Sequence, residues 1–584
     1  MTSVCLPSAT NLLTMSNMLS RLSPPALVIA LGCLFAWWIQ TDGGRVDVSD
    51  VRFTGANGNV MSALLYRPRE ATPDNPAPGV LAVHGYINSR ETQSGFAIEF
   101  ARRGMVVLAL DQTGHGYSDP PAFAYGFGGP DGLAYLRSLP FVDKTRIGLE
   151  GHSMGGWTVQ MAAASDPDGY RSMVLEGSST GTFGAPEGTP VSPRNLLVVF
   201  SLFDEFSALM WETPVPANVV DSPKLQRVFG TDETIAPGRV YGDFSTGTAR
   251  KLLMPPVTHP GDHVSTAAIG AAVDWFEQTL GVEGNVEGQR WYWKELATLV
   301  ALLGLAWLVF PLLDRAISLA GISGSPRMLD TSGRWWPNAL IAALVPVLTF
   351  FPLQAVANLL VPPTPVFAQQ ITSGVMLWAL GNGALSLAGF WLWYRRRAVS
   401  LADLGALADR GYLIRVLWAG LIVVGALLLV VAAAEFLLNV DFRFWVVALK
   451  APSAVQVGLF IVYLPFFLAF FAVLSLTLHS QLRLGLPPRR AMLVNGSVLS
   501  GGFVLLLLIQ YIPLLLGGTL TIASQPLLTI VAFQFVPVLF FAGAVSTWAF
   551  EKTGSIYPGA LVNALVITWY LVAGTATQAV PFWL

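Results

Sequence analysis

Between residues 296 and 577 the sequence holds eight apolar stretches of about 18 to 26 residues, at 296–313, 337–361, 372–394, 414–438, 454–478, 491–517, 525–549 and 557–577. A hydrocarbon layer of about 30 Å takes about 20 helical residues to cross, and no water within it can satisfy a peptide group. Each stretch is therefore expected to be a helix, and this half of the chain an all-α transmembrane bundle. A ninth, shorter stretch, 26–39, lies near the N-terminus. Trp37 and Trp38 at its end suit a membrane interface and no small-x-small cleavage pattern follows, so it reads as a signal anchor rather than a cleaved leader. Cys33, after Leu31-Gly32, faintly resembles a lipoprotein box, but the apolar run continues past it and a buried helical thiol is the simpler reading.

The chain as a whole is 53% hydrophobic and 12% charged, values that residues 41–290 do not share. Three parts are expected: an anchor at 1–40, a water-soluble domain at 41–290 and the bundle at 291–584. Lys and Arg alternate sharply between the short loops. Arg315, Arg327, Arg334, Arg395, Arg396, Arg397, Arg410, Arg483, Arg489, Arg490 and Lys552 fall in every second loop, whereas the loops between them hold Arg443 and Lys450. Because basic residues resist translocation, the Arg-rich loops are expected in the cytoplasm. The soluble domain then lies outside, in the periplasm or at the exterior of a bacterial cytoplasmic membrane. A net charge of −2 without basic clusters outside these loops argues against nucleic acid. Cys5 and Cys33 are the only cysteines, so the soluble domain has no disulfide and no thiolate metal site.

Within 41–290, short β-branched runs alternate with helical periodicity. Strands are expected at 51–53, 60–66, 79–83, 105–110, 147–150, 173–176, 196–200 and 251–254, and helices at 96–103, 133–139, 157–164 and 265–280. Continuous apolar strands alternating with helices give a mostly parallel sheet covered on both faces. Gly151-His152-Ser153-Met154-Gly155 sits between one such strand and the following helix. A serine pushed out of a sheet on so sharp a turn needs small residues two positions either side.

With His84-Gly85-Tyr86 after a strand, Asp111-Gln112-Thr113-Gly114-His115-Gly116-Tyr117-Ser118 after another, and Arg146 to Gly156 around the serine, the domain resembles the α/β-hydrolase superfamily over about 230 residues, closest to its dienelactone-hydrolase and X-Pro-peptidase-like branch. The resemblance implies an α/β-hydrolase fold and a Ser, acid, His order. It makes Ser153 the nucleophile. It also implies a base in Val257-Thr258-His259-Pro260-Gly261-Asp262-His263, either His259 or His263. The acid follows strand 196–200 and is Asp204, with Glu205 as the alternative. Backbone N–H groups of Tyr86 and Met154 match the family's oxyanion donors. His84 and His115 belong to turns, and His152 is expected to face away from the serine. The Pro- and Gly-rich segment 207–250 is either part of a lid or a surface excursion packed on the bundle.

Ionisable residues are scarce in the apolar stretches. Glu435, near one helix end, reads as interfacial, and Asn382, Asn495, Gln510 and Gln534 as interhelical hydrogen-bonding groups. Residues 550–563 faintly resemble the C-terminal part of CAAX-type prenyl-endopeptidase membrane proteins, but the paired glutamates are missing and Gly559 stands where that motif has a histidine. The expected activity is hydrolysis of carboxylic esters or related acyl compounds through an acyl-enzyme, with no cofactor and no metal, on a small-molecule or lipid-like substrate beside membrane lipids. The rival readings are a transporter or sensor with a ligand-binding hydrolase-like domain, and a peptidase or acyltransferase using the same triad.

The loop asymmetry predicts that, with Cys5 and Cys33 replaced, a cysteine in an exposed loop of 41–290 reacts with a membrane-impermeant maleimide in intact spheroplasts, and one beside Arg396 reacts only after permeabilisation. The opposite labelling pattern inverts the topology.

Overall fold

The computed structural model describes residues 9–283, 286–327, 334–397 and 399–584, with side chains from Arg21 on. Its soluble part is built on one nine-stranded sheet of β1 (Val46–Thr54), β2 (Val60–Pro68), β3 (Ala77–Val83), β4 (Val106–Asp111), β5 (Val142–His152), β6 (Ser172–Glu176), β7 (Leu196–Val199), β8 (Val240–Tyr241) and β9 (Arg250–Leu253), in the order β1-β2-β4-β3-β5-β6-β7-β9-β8. From β4 across to β9 every pairing is parallel, while β1, β2 and β8 pair antiparallel at the two edges.

Helix α1 (Ala9–Gln40) precedes the sheet; α2 (Ser94–Arg102), α3 (Gly129–Ser138), α4 (Met154–Ser165), α5 (Ser207–Trp211), α6 (Pro223–Phe229) and α7 (Thr266–Leu280) are interleaved with its strands. Period-two alternation divides each central strand between two cores. Leu81 and Val83 of β3 and Leu108 and Leu110 of β4 face α3 and α4; Val80, Ala82, Val107 and Ala109 face α2 and α7. This is the α/β-hydrolase fold. The expected strands and helices are all present. Three elements fall where the sequence pattern is weak, α5, α6 and β8, all within 207–250.

The remaining helices are α8 (Trp291–Leu319), α9 (Trp335–Leu348), α10 (Phe350–Leu360), α11 (Gln370–Tyr394), α12 (Arg410–Leu438), α13 (Ala454–Gln481), α14 (Pro488–Leu515), α15 (Pro526–Thr553) and α16 (Tyr557–Gly574), with a hairpin of β10 (Phe442–Phe444) and β11 (Val447–Leu449) between α12 and α13. Among the described residues eight helices are long and apolar enough to cross a membrane, or nine if α9 and α10 count as one span. The stretch expected as a single helix at 337–361 is this pair, bent by 44°. Pro346 and Pro352 flank the bend, each lacking the N–H a continuous helix would use. Near the N-terminus the spanning part, Arg21–Gln40, is longer than the expected 26–39 and packs against α8. The polar groups flagged in the sequence join helices in pairs: Asn382 to Thr349, Asn495 to Thr547, Gln510 to Thr529 and Gln534 to Tyr570.

The sheet domain rests on one end of the bundle, against the hairpin and the segment after α16. Thr577 exchanges backbone hydrogen bonds with Gly114 and Ala122, and Trp445 donates to the carbonyl of Pro260 at 2.8 Å. Glu435 accepts from the Tyr117 hydroxyl at 2.6 Å, so it lies at this seam. Buried charges hold the rest: Lys450 meets both Glu91 oxygens at 3.0 Å, while Arg443 reaches Asp441, Ser89 and Thr92. Burial opposes charge on Glu91, but Lys450, Arg90 and Arg443 outweigh it and hold its carboxyl well below the usual range. At the opposite end of the bundle Arg327 pairs with Asp403, and Arg483 lies 3.9 Å from Glu551.

Removing one partner of a buried pair exposes the other to its full desolvation cost, typically about 3–5 kcal/mol. Lys450→Met is expected to lower the thermal midpoint of the full chain in detergent, with a loss near the bottom of that range, about 3 kcal/mol, because Arg90 still faces Glu91. Adding Glu91→Leu should restore much of it. No destabilisation by the single change would show that the pair does not hold the seam.

Candidate active site

Strand β5 ends at His152 and α4 begins at Met154, leaving one residue, Ser153, to make the turn. It does so at φ 54°, ψ −120°, a conformation that costs a non-glycine residue of order 1–3 kcal/mol and persists only where the surroundings enforce it. They do so here. A β-carbon on Gly151 would lie 2.3 Å from the Gly155 carbonyl oxygen, and one on Gly155 2.1 Å from that of Val83. The backbone is further pinned by the Ser153 N–H, which donates to the Glu176 carbonyl at 2.7 Å, and by Ser178, whose hydroxyl donates to the Ser153 carbonyl at 2.7 Å.

His259 starts the short helical turn His259–Val264 that follows β9. Its Nδ1 donates to Asp204 Oδ2 at 2.8 Å, which leaves Nε2 as the ring's proton acceptor. Asp204, fully buried beyond the end of β7, also accepts from the Phe206 N–H at 2.7 Å. Glu205 takes a different position: it accepts from the His259 backbone N–H at 2.7 Å and from the Tyr511 hydroxyl of α14 at 2.6 Å. It holds the histidine's main chain rather than its ring. His263 is also near, but its two ring nitrogens have no hydrogen-bond partner among the described residues, and its ring packs 4.0 Å from that of His152. Asp204 therefore meets His259 and not His263.

Burial opposes charge on His259, yet the Asp204 charge and hydrogen bond outweigh it and raise the imidazole above its ordinary value. Burial and the neighbouring His259 act together on His263, which drops to about 3, and burial with Asp204 beside it pushes Glu205 up to about 7. Asp262, which accepts from Ser201, is driven well above the carboxylate range by burial.

Ser153, His259, Met154 and Tyr86 all line one cavity of about 620 Å³. The His-Gly loop lies against the elbow: a β-carbon on Gly85 would be 3.1 Å from Ser153 Cβ. His84 and His115 stay in their turns, each donating from Nδ1 to a carbonyl, of Gly85 and of Thr113. His152 departs from the expectation that it faces away. Its ring lies between those of His259 and His263, and its Nε2 donates to the His259 carbonyl at 2.9 Å, because the turn after β9 folds back across the end of β5. The segment 207–250 contributes Leu209 and Met210 to the cavity wall.

Several lining residues escape sequence reasoning. Gln370, Trp445, Val446, Leu527, Ile530, Gln534 and Gln578 come from the bundle, and Gln578 donates to the Tyr86 hydroxyl at 2.6 Å. No local motif marks them, since each reads as ordinary span or loop; only the docking of the two parts brings them to the site.

Residues 78–201 match the family model described as the alpha/beta hydrolase fold. The chain is 34% identical over 199 residues to a monoacylglycerol lipase of Mycolicibacterium smegmatis, which covers 31% of this chain and 64% of the lipase. It is 30% identical over 136 residues to dipeptidyl peptidase 8 of Homo sapiens, covering 20% of this chain and 15% of the peptidase. An esterase structure from Pyrococcus furiosus matches at 15% identity and a TM-score of 0.30, over 41% of this chain and 96% of the esterase. The lipase and peptidase relatives, with the family model, support a hydrolase.

The Asp204–His259 contact predicts how activity varies with pH. As the base must be neutral, kcat/KM should fall as pH drops through the His259 pKa, which lies above the ordinary 6.5. Asp204→Asn should move that limb to lower pH and reduce kcat by about 10³–10⁴-fold, whereas His263→Ala should do neither. An unmoved limb in Asp204→Asn would remove Asp204 from the acid role.

Proposed function

We propose that the chain is a membrane-anchored serine hydrolase that cleaves carboxylic esters or related acyl bonds through a Ser153-His259-Asp204 triad. The observation that carries this is a serine held in a strained turn, sharing one cavity with a histidine whose other nitrogen is committed to a buried carboxylate. In the acylation step His259 Nε2 takes the Ser153 proton as Oγ attacks the acyl carbon. The carbon–oxygen bond to the alcohol then breaks and the same proton passes to the leaving alkoxide. Water repeats the sequence in reverse order: His259 accepts its proton, hydroxide adds to the acyl carbon, and Ser153 leaves reprotonated with release of the acid. Asp204 holds the tautomer and balances the imidazolium. The oxyanion of each tetrahedral intermediate is assigned to the N–H groups of Met154, at the start of α4, and Tyr86.

The lining of the cavity favours an uncharged acyl group over a peptide. It includes no Asp, Glu, Lys or Arg among the described residues, so a peptide's charged amino terminus would find no counter-ion there. The long apolar helices are compatible with a multi-pass membrane protein, and the Arg-rich loops support a hydrolase domain on the non-cytoplasmic side.

Ser153→Ala should abolish both fluorophosphonate labelling and ester turnover in the purified full chain, with its circular dichroism unchanged because the hydroxyl lines a cavity rather than a packed core. Turnover that survives the substitution would refute the assignment.

A further inference from the structure

The cavity at Ser153 borders a second, smaller space inside the bundle. This second space, about 60 Å³, lies between α11, α13, α15 and α16 and is walled mainly by aliphatic and aromatic side chains, with Arg443 and Lys450 lining it at the seam. The two share Ile87, Asn88, Val446 and Gln534 as lining residues. Along α15, Val531, Phe535 and Leu539 line the second space, and four further residues run from one space to the other: Leu527 and Ile530 in the first, Gln534 in both and Val538 in the second. Spacings of three and four put them in one stripe, which runs about 16 Å down the helix from the sheet domain toward the middle of the bundle. On α11, Gln370 faces the first space, and Ile371, Val375 and Ala379 the second. Both helices run away from the sheet domain, so the path deepens on both walls. Gln534 and Asn88 are the polar groups at the junction, and the Oε1 of Gln534 is occupied by the Tyr570 hydroxyl at 2.7 Å.

An apolar path that begins at the nucleophile and ends between membrane-length helices fits one kind of group. We infer that the substrate is a membrane amphiphile whose ester joins a long aliphatic chain, and that this chain lies along α15 with its end inside the bundle. The inference rests on the serine-hydrolase reading and names its substrate class. The roughly 620 Å³ space lies within the range of about 300–1,000 Å³ that small-molecule sites occupy, and the narrow extension admits a chain end but no headgroup. Each methylene moved from water into such a path raises affinity about fourfold, so discrimination should grow with chain length until the path is full. The opposite rim of the first space carries Phe123, Phe183 and Leu209, which are 44%, 66% and 43% exposed, and there the leaving alcohol would depart.

The test uses the full chain in lipid nanodiscs and a hexadecyl fluorophosphonate bearing a diazirine at the chain end. Ser153 Oγ bonds to phosphorus as the P–F bond breaks, fluoride leaves and the serine proton is taken by His259; light then inserts the chain end into whatever surrounds it. Insertion into peptides containing Val375, Phe470 or Val538 is expected, and a butyl analogue should insert into the walls of the first space. Labelled Ser153 with insertion confined to lipid, or to the loops of Phe123, Phe183 and Leu209, overturns the chain path and leaves the hydrolase reading standing. If Ser153 is not labelled, both fall. As a second readout, Val538→Trp should lower the ratio of kcat/KM for long-chain over butanoyl esters by about tenfold, and an unchanged ratio overturns the inference.

Discussion

The sheet domain and the helical bundle meet across buried charge, and the cavity of the candidate active site is walled by both. Glu91 projects from the turn after β3 into a group formed by Arg90, Lys450 and Arg443, with Asp441 bridging Arg443 and Lys294 behind it. Such a network is costly to desolvate, and hydrophobic residues of equal volume would often be as stable. In the register where these charges are paired, Trp445 lies against Pro260 and Val446 lines the cavity beside Ser153. A looser apolar seam would leave the wall of the site free to slide.

A second connection reaches the chemistry more closely. Tyr511, near the C-terminal end of α14, donates to Glu205, and Glu205 in turn accepts from the backbone of His259. His259, the proposed base, is thus braced on its ring by Asp204 and on its main chain through a helix of the bundle. His152 adds a third hold at the His259 carbonyl, and a β-carbon on Gly177 would come 2.8 Å from His259 Nδ1. Strain at Ser153 and close packing around His259 fix the two groups relative to each other, which is the preorganisation that acyl transfer needs.

The sheet was legible because its central strands are buried on both faces and so read as unbroken apolar runs, and because Ser153 and its flanking glycines obey a steric rule that acts over five residues. Asp204 and His259 were readable only by their position after strands, and each carried an alternative that spacing does not resolve. The separation of Asp204 from Glu205, and of His259 from His263, depends on side-chain direction after β7 and β9, which no periodicity encodes. The broken helix at α9 and α10 was hidden because hydropathy counts apolar residues and is blind to the prolines among them. Trp445, Gln578 and Tyr511 were invisible for a further reason: their contacts with the sheet domain span some hundreds of residues and arise from docking, so nothing near them in sequence signals a role.

We take Ser153 to be a catalytic serine whose bound acyl group is enclosed partly by the bundle. An experimental structure of the full chain in a lipid nanodisc, with Ser153 carrying a long-chain alkyl phosphonate, examines both halves of that statement at once. The expected result is a phosphonyl oxygen within hydrogen-bonding distance of the Met154 and Tyr86 N–H groups and an alkyl chain running along Ile530, Gln534 and Val538. A phosphonate whose oxygen points away from both donors, with its chain lying over Phe183 in solvent or lipid, would contradict it.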